Sequence, residues 1–392
     1  MLPREKDELG RLMERVAAIA ESPENQARAA HWKRYLAGTP SNRDPEGPLY
    51  TLDVGIPTWS RILGFGVVDY FTDTYTHLRC QLLIRLYHHD HFPDDTVVGK
   101  GLGVSPLGAV LECSMLGAEI AYRPDTNPWA AHDRPIVSTD DDLDRLQMPD
   151  FYRSGAMPLA HRMYAEAREL VQQLGFADWR VSFPAAVRGV LGLAQVMRGP
   201  HENVLVDMLE RPDFARRLFR FAADFRKHYA RERARFLGEP VGKGHIGNDE
   251  VTIPIISPRL YEEFLLPLEI EISEFHGGLS CWHSCGDTGK LAPLIRKIPD
   301  VAQFYTGPWT DLGAVMSAFG TDTPLDVAIH VVDDMLAATP EQMEAKIRKV
   351  MAACDGAALK LRAGSTDSVF ELQADMAKAR LWCEVARRVA RS

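Results

Sequence analysis

Three residues that can bind a metal ion alternate in one short segment: Cys281, His283 and Cys285. If this segment is an extended strand, alternate side chains point to the same face of the strand. Imidazole and thiolate both suit Zn²⁺, so His283 and Cys285 could share an ion at a strand end. Cys281 would lie roughly 13 Å from Cys285 along the strand, too far to join them. The same pattern is also typical of small buried cysteines and a core histidine.

A second polar segment, Gly247-Asn248-Asp249-Glu250, follows a short apolar run that begins at Gly244. In a parallel α/β barrel the reactive groups lie on the loops after the strands, so both segments are placed where chemistry is expected. Asp249 could serve there as an acid or a base. Asn-Asp is also ordinary turn chemistry, and the sequence alone leaves that alternative open.

Other eye-catching segments predict no catalytic group. His88-His89-Asp90-His91 has no strand before it and is followed by Phe92-Pro93, so we predict an exposed loop. The glycines of Gly99-Lys100-Gly101-Leu102-Gly103 lack dinucleotide and phosphate-loop spacing, and no Gly-x-Ser-x-Gly nucleophile motif occurs. We therefore predict no nucleotide cofactor.

The composition of the chain narrows the class of protein. Its 392 residues are 46% hydrophobic and 25% charged, with a net charge of -9, as in an ordinary globular protein. Without a cluster of Lys and Arg, a nucleic-acid partner is not expected. No stretch approaches the eighteen or so apolar residues of a membrane span, and the charged N-terminus lacks a signal-peptide pattern. Six scattered cysteines fit a reducing compartment, so we expect a cytoplasmic protein.

The order of predicted elements favours a (β/α)8 TIM barrel with additional N-terminal helices. Apolar residues at three- and four-residue spacing predict two helices in the first forty residues. From Gly103 onward, short apolar runs alternate with helical patterns, which is typical of βα units and a parallel sheet. The predicted boundary separates an N-terminal helical extension, residues 1–100, from the barrel, residues 101–392, within one structural domain. The strands are predicted at Trp179–Phe183, Gly244–Ile246, Leu279–Ser284, near Phe304, at Leu325–Ile329 and at Ala357–Leu361, with further short strands between Gly103 and Pro135.

An ordered set of motifs resembles the uroporphyrinogen decarboxylase superfamily between about Gly103 and Met376. This superfamily contains the decarboxylases of haem synthesis and zinc-dependent methyltransferases that work with corrinoid proteins. The motifs are Ile136-Val137-Ser138-Thr139-Asp140-Asp141, Leu146-Gln147-Met148-Pro149-Asp150, Gly192-Leu193-Ala194, Met197-Arg198-Gly199, Leu209-Glu210-Arg211-Pro212, Asn248-Asp249, Ile256-Ser257-Pro258-Arg259-Leu260-Tyr261-Glu262-Glu263-Phe264 with Pro267, His283-Ser284-Cys285-Gly286-Asp287-Thr288 and Thr339-Pro340-Glu341.

The resemblance is closer to the methyltransferases than to the haem-pathway decarboxylases. The arginine-rich segment with which those decarboxylases grip substrate carboxylates is absent, and Arg61-Ile62-Leu63-Gly64 is a poor match to it. The methyltransferase branch has a His-x-Cys pair, here His283 and Cys285, which the resemblance implies are zinc ligands. In that branch zinc makes a thiol act as a thiolate near neutral pH.

The third zinc ligand of that branch is missing from its expected place. The branch has a cysteine in a Gly-Cys-Gly turn after the last strand, whereas this chain has Arg362-Ala363-Gly364-Ser365-Thr366. Cys354 precedes the strand and is expected at the opposite mouth of the barrel. The third ligand is therefore unknown from sequence, and four residues are candidates: Asp249, Glu250, Asp326 and His330.

These expectations combine into a functional hypothesis. The chain would move a methyl group between a small methylated substrate and a corrinoid on a partner protein or a thiol, with zinc held by His283 and Cys285. Asp249 and His283 are the expected catalytic residues, and Asn248 and Glu250 the expected substrate contacts. No Asp-x-His-x-x-Gly corrinoid motif occurs, so a corrinoid would arrive on a separate protein.

Other hypotheses remain open on the sequence. The first alternative is a metal-free decarboxylase or lyase of the same fold, in which Asp249 stabilises a cationic substrate and His283 orients it. The second is a non-catalytic ligand-binding partner of another enzyme. A homodimer is a candidate assembly of the chain under each hypothesis, and the sequence identifies neither the substrate nor an interface.

Overall fold

A computed structural model of the chain describes residues 2–131 and 133–391, and these residues form ten strands. The strands are β1 (Leu49–Val54), β2 (Gly101–Gly103), β3 (Ile120–Arg123), β4 (Thr126–Ala130), β5 (Arg180–Ser182), β6 (Gly244–Gly247), β7 (Leu279–Ser284), β8 (Phe304–Thr306), β9 (Leu325–Ala328) and β10 (Leu359–Thr366). Six of them form one parallel sheet in the order β1-β10-β9-β8-β7-β6. A second parallel pair joins β2 to β5, and β3 and β4 form an antiparallel hairpin.

The eight parallel strands make a (β/α)8 barrel with additional N-terminal helices. A parallel bridge between Arg188 and Gly247 joins the chain after β5 to β6. Among the described residues no ladder joins β1 to β2. Carboxylates take the place of a neighbouring strand there: Asp95 accepts from the Tyr50 amide at 3.0 Å, and Asp94 from the Leu52 amide at 2.8 Å. The predicted fold class is confirmed.

Helices alternate with the strands and cover the outside of the barrel. They are α1 (Pro3–Ala20), α2 (Pro23–Leu36), α3 (Ile56–Leu63), α4 (Val67–Thr72), α5 (Thr74–His91), α6 (Leu111–Met115), α7 (Asp140–Arg145), α8 (Met157–Gln173), α9 (Val190–Arg198), α10 (His201–Glu210), α11 (Pro212–Leu237), α12 (Pro258–Leu260), α13 (Leu266–His276), α14 (Ala292–Ile295), α15 (Leu312–Phe319), α16 (Pro340–Ala353) and α17 (Leu372–Ala390). A short 3₁₀ turn covers Gly108–Val110, and π-helical turns cover Tyr261–Leu265 and Val331–Leu336.

Hydroxyl side chains cap the first turn of several of these helices. Thr139 accepts a hydrogen bond from the Asp142 amide at 3.2 Å, and Ser257 accepts one from the Leu260 amide at 3.3 Å. Thr339 forms a reciprocal capping box with Gln342 at the start of α16. Three of the resembling motifs therefore mark helix starts, which fixes where the loops after the strands end.

In the first 135 residues the observed secondary structure differs from the one predicted from the sequence. The segment predicted as a helical extension contributes strand β1, whose register pairs Leu49 with Lys360 of the last strand. His88–His91 forms the last turn of α5 and is not an exposed loop. His88 is buried, and its Nε2 lies 3.0 Å from Asp94 Oδ1, a contact that holds this turn in place. Part of the apolar run after Gly103 was predicted as strand but is helical, in α6. The pattern of a short apolar run does not distinguish a buried helix from a strand.

The hydrophobic core lies between the outer surface of the strands and the helices. Trp282 of β7 is fully buried there and stacks on Phe304 of β8, with ring centroids 5.5 Å apart. No described helix is long and apolar enough to cross a membrane. The outward-facing residues of the strands pack in this core, so the residues that alternate with them in β6 to β10 face the interior of the barrel.

Candidate metal centre

The register of β6 and β7 brings the two predicted site segments together. Gly247 of β6 pairs with His283 of β7, and the Asn248 amide continues the ladder by donating to the His283 carbonyl at 2.7 Å. Asp249 and Cys285 each lie two residues further along the chain, just beyond the ends of β6 and β7, and are neighbours there. The Cys285 amide donates to Asp249 Oδ1 at 3.2 Å. Both segments thus end at the C-terminal mouth of the barrel.

Asp249, His283 and Cys285 place an oxygen, a nitrogen and a sulfur within 4.8 Å of one another. His283 Nε2 lies 3.2 Å from Cys285 Sγ and 3.2 Å from Asp249 Oδ1. The His283 side chain is 23% exposed and the Asp249 side chain 61% exposed, so the cluster is open to the barrel mouth. Among residues 2–131 and 133–391, this is the one group of three or more potential ligands.

The chemistry of this donor set fits zinc. Carboxylate, imidazole and thiolate are all ligands that zinc takes, and three protein ligands are typical of catalytic zinc sites. Asp249 supplies the third donor atom of this set, although no cysteine follows the last strand. A site of this kind keeps one coordination position for a substrate or water.

The electrostatics of the cluster favour a cation between its members. Burial raises the pKa of the Cys285 thiol to about 12, and the neighbouring Asp249 carboxylate adds to this by its charge and a hydrogen bond. Burial also acts to raise the pKa of Asp249, but a hydrogen bond and Coulomb attraction from His283, together with hydrogen bonds from Cys285, lower it to about 2. The Asp249 carboxylate thus opposes ionisation of the Cys285 thiol, and a cation between them would make the two anions compatible.

Tyr305 of β8 orients the histidine. Its ring stacks on the His283 imidazole with centroids 3.9 Å apart and planes 19° apart. The two residues are register partners on neighbouring strands. On the other side of Tyr305, the guanidinium carbon of Arg362 lies 5.4 Å from the ring centroid. This stack limits the rotation of the imidazole and directs Nε2 towards Cys285 and Asp249.

Asn248 supports the site from behind the strand and does not face the mouth. Its side chain is fully buried, and its Nδ2 donates to Glu269 Oε1 at 2.7 Å. Glu269 Oε2 accepts from Tyr261 at 2.7 Å and from the Trp282 indole at 2.8 Å. The sequence predicted a direct substrate contact for Asn248; in the structure its amide is enclosed by core groups. Asn248 is a positioning residue for the end of β6.

Glu250 also turns away from the cluster. Its carboxylate lies 2.9 Å from Arg188 Nη1, with side-chain exposures of 14% and 17%. The same carboxylate packs against Gly192 of α9, where a Cβ atom would come within 2.7 Å of it. The sequence placed Glu250 among the substrate contacts; in the free protein its charge is held by Arg188.

The remaining ligand candidates lie in other environments. Asp326 is 1% exposed and pairs with Lys360 at 2.6 Å and Arg362 at 2.8 Å. His330 caps the π-helical turn at Val331 and lies 3.1 Å from Asp333. Cys281 packs in a small apolar cluster with Tyr305 and Ala328. Burial raises the pKa of the Cys281 thiol to about 12, as expected of a buried cysteine that binds no metal.

Three interior residues near the cluster were not predicted: Tyr305, Arg362 and His245. His245 is two residues before Gly247 on β6, and its ring centroid lies 6.4 Å from that of His283. Burial lowers the pKa of His245 to about 4, and the charge of His283 contributes. A signal existed in the sequence, since His245 and Tyr305 are polar residues of predicted strands and Arg362 directly follows one, and alternate positions of a strand point into the barrel.

The fold and the cluster together define a TIM-barrel protein with a candidate metal centre at the C-terminal ends of adjacent strands. The model of the family described as uroporphyrinogen decarboxylase (URO-D) matches residues 104–360, which is more than half of the chain. The chain belongs to the uroporphyrinogen decarboxylase (URO-D) family.

Comparison with other proteins supports the same fold. A solved structure of a methyltransferase from Methanosarcina mazei is similar with a TM-score of 0.64 and 14% sequence identity. The similarity covers 90% of this chain and 97% of that one. No curated protein matches the chain. At this identity the likeness establishes the barrel and its additional elements, and the chemistry must be argued from the site.

Proposed function

We propose that the chain is a zinc-dependent methyltransferase, and the observation that carries this proposal is the Asp249, His283 and Cys285 cluster. The cluster lies after β6 and β7, where barrel enzymes carry their reactive groups. When bound, zinc would act as a Lewis acid on a substrate heteroatom and lower the pKa of a thiol or hydroxyl. The methyltransferase likeness of the fold agrees with this proposal.

The protein groups have separate roles in this proposal. Asp249 stays ionised down to about pH 2 and supplies a permanent negative charge at the mouth. His283 is held by the Tyr305 ring, so one nitrogen points at the cluster without a search over rotamers. Cys285 supplies the third donor and is exposed, so a small methylated substrate can approach it from the mouth.

The surface around the mouth supports a protein partner that carries the corrinoid. Large apolar side chains are exposed on the loops after three strands: Ile255 after β6 at 46%, Trp309 after β8 at 63% and Phe370 after β10 at 65%. Exposed aromatic and aliphatic groups rimmed by polar residues are typical of protein interaction surfaces. A partner that covers this surface would present its cofactor to the open cluster.

Metal analysis of the purified full chain tests the ligand set. We expect about one zinc per chain, in line with a single three-ligand site, and its loss in Cys285→Ser. The matched control is Cys354→Ser, because Cys354 is buried at the end of α16, before β10. Zinc that survives Cys285→Ser, or that is absent from the wild-type chain, contradicts the proposed centre.

Methyl transfer is tested separately, with methylcobalamin as methyl donor and a panel of small thiols and phenols as acceptors. Loss of the cobalt-bound methyl changes the visible spectrum of the cobalamin. We expect turnover in the wild-type chain and in Cys354→Ser but none in Cys285→Ser. Turnover of a carboxylated pyrrole without zinc, and no methyl transfer, would instead favour the decarboxylase alternative.

A further inference from the structure

A cavity lies on the side of the barrel where β1 and β2 are not joined. Its volume is about 620 Å³, which falls in the range of small-molecule sites. It is lined from α2, β1, α3, α5 and the segment that follows α5. The lining includes none of Asp249, His283 and Cys285, so the cavity does not belong to the candidate metal centre.

Aromatic side chains form much of the wall of this cavity. Trp32 of α2, Trp59 of α3 and Phe92 after α5 all line it. Trp59 and Phe92 meet edge to face, with centroids 6.4 Å apart and planes at 74°. Such a wall is rigid and apolar, and suits a ligand with a flat apolar body.

Most charged groups at this cavity already have a partner of opposite sign. Asp94 accepts hydrogen bonds from His88 and from the amide of Leu52. Arg28 is paired with Glu24 at 2.8 Å. At the inner end, Arg362 lies 3.9 Å from Asp53, in addition to its bond with Asp326. These groups therefore already have polar partners within the protein.

Arg85 is the exception in the described part of the chain. Its Nη1 donates to the carbonyl groups of Gly101 at 2.5 Å and Gly99 at 3.4 Å, and no carboxylate of residues 2–131 or 133–391 pairs with it. Burial lowers the pKa of Arg85, with only Tyr70 acting against it. A largely enclosed guanidinium without an acidic partner carries a desolvation cost that an incoming anion would offset.

We propose that this cavity binds a small organic monocarboxylate, with its apolar body against Trp32, Trp59 and Phe92 and its carboxylate on Arg85. His89 lies one helical turn after Arg85 and also lines the cavity, so it is placed to act as a second donor. None of the ligands of the metal cluster lines the cavity, so the proposal does not depend on zinc; Arg362, which lies beside Tyr305, is common to the surroundings of both sites.

Calorimetric titration of the full chain with benzoate tests the charge. We expect benzoate to bind at least about tenfold more tightly than its neutral isostere benzamide, because a charged hydrogen bond is lost with the latter. Arg85→Met keeps the aliphatic stem and should remove this preference. The control is Arg15→Met, since Arg15 is exposed on α1 and should leave benzoate binding unchanged.

A pair of neighbouring alanines in α2 tests the location. Ala29 lines the cavity and Ala30 is exposed on the same helix, so Ala29→Leu should abolish benzoate binding and Ala30→Leu should not. Binding should persist in Cys285→Ser, which separates this proposal from failure of the metal centre. No benzoate binding at about 10 mM, equal binding of benzamide, or binding unaffected by Arg85→Met and Ala29→Leu would each overturn the proposal.

Discussion

The imidazole of His283 lies flat against the ring of Tyr305, with centroids 3.9 Å apart, although the two residues are 22 positions apart in sequence. The contact is set by the parallel register of β7 and β8, which pairs these residues directly. A candidate metal ligand is therefore oriented by a residue of the neighbouring strand. Orientation of a ligand histidine by an outer partner commonly affects metal affinity.

Replacing Tyr305 should separate its stacking on His283 from the hydrogen bond between its hydroxyl and Cys285. Tyr305→Phe keeps the ring, so we expect zinc affinity to fall by no more than a few fold. Tyr305→Leu removes the stack and should weaken zinc binding by roughly tenfold or more, as for other outer partners of metal ligands. Competition with a chromogenic zinc chelator measures both values. Equal affinities of Phe and Leu variants would mean that the ring does not position His283.

The adjacent carboxylates Asp249 and Glu250 should behave differently. Asp249→Asn removes a proposed ligand and should reduce zinc affinity by more than the roughly 10- to 100-fold cost of losing an outer partner. Glu250→Gln leaves the ligands intact but breaks the ion pair with Arg188, which is largely buried. We expect it to retain zinc and to unfold more easily by about 1–3 kcal/mol. Zinc content and urea denaturation of the two variants distinguish the roles, and zinc loss in Glu250→Gln alone would reverse the assignment.

Glu269 should matter for stability more than its distance from the mouth suggests. It accepts hydrogen bonds from Asn248, Tyr261 and Trp282, and the side chain is 1% exposed. Glu269→Gln puts a donor where an acceptor is needed, so we expect a loss of about 1–3 kcal/mol in the free energy of unfolding. Tyr261→Phe removes one of the three bonds and should cost about 1 kcal/mol. Urea denaturation checks both, with Glu274→Gln on the exposed face of α13 as control.

The low pKa of His245 predicts that the free energy of unfolding of the metal-free chain depends on pH. In the folded protein burial lowers its pKa to about 4, whereas an unfolded histidine has a pKa near 6.5. Below about pH 6.5 the unfolded state therefore binds a proton that the folded state does not, and the free energy of unfolding falls until about pH 4. The loss would reach up to about 3 kcal/mol. His245→Gln, unfolded by urea between pH 7 and pH 4 in a chelator, should show a shallower slope; an unchanged slope would rule His245 out as its source.

Much of the barrel could be predicted from sequence because its later strands are short apolar runs between clear helix signals. The strands that begin at Gly244 and Leu279 lie where the pattern places them. β1 was missed, since Leu49–Val54 is surrounded by helical patterns and its partner, β10, is more than 300 residues away. A local pattern carries no information on such a distant pairing.

The candidate site was predictable in composition but not in assembly. The position of Asp249 and Cys285 after predicted strands marked both as candidates, yet four residues competed for the place of the third ligand. The choice depends on register: Gly247 pairs with His283, whereas Asp326 is already paired with Lys360. Asn248 was assigned to the substrate because sequence does not show on which side of the strand end a side chain turns.

The carboxylates of Asp94 and Asp95 have a consequence for the behaviour of the chain in crowded solutions. An open strand edge invites pairing with a strand of another molecule, which leads to aggregation. Here the amides of Tyr50 and Leu52 on the unpaired edge of β1 are already occupied by the side chains of Asp95 and Asp94, which are themselves buried. The barrel can therefore leave its wall unsealed at one seam without offering β1 as a template for self-association.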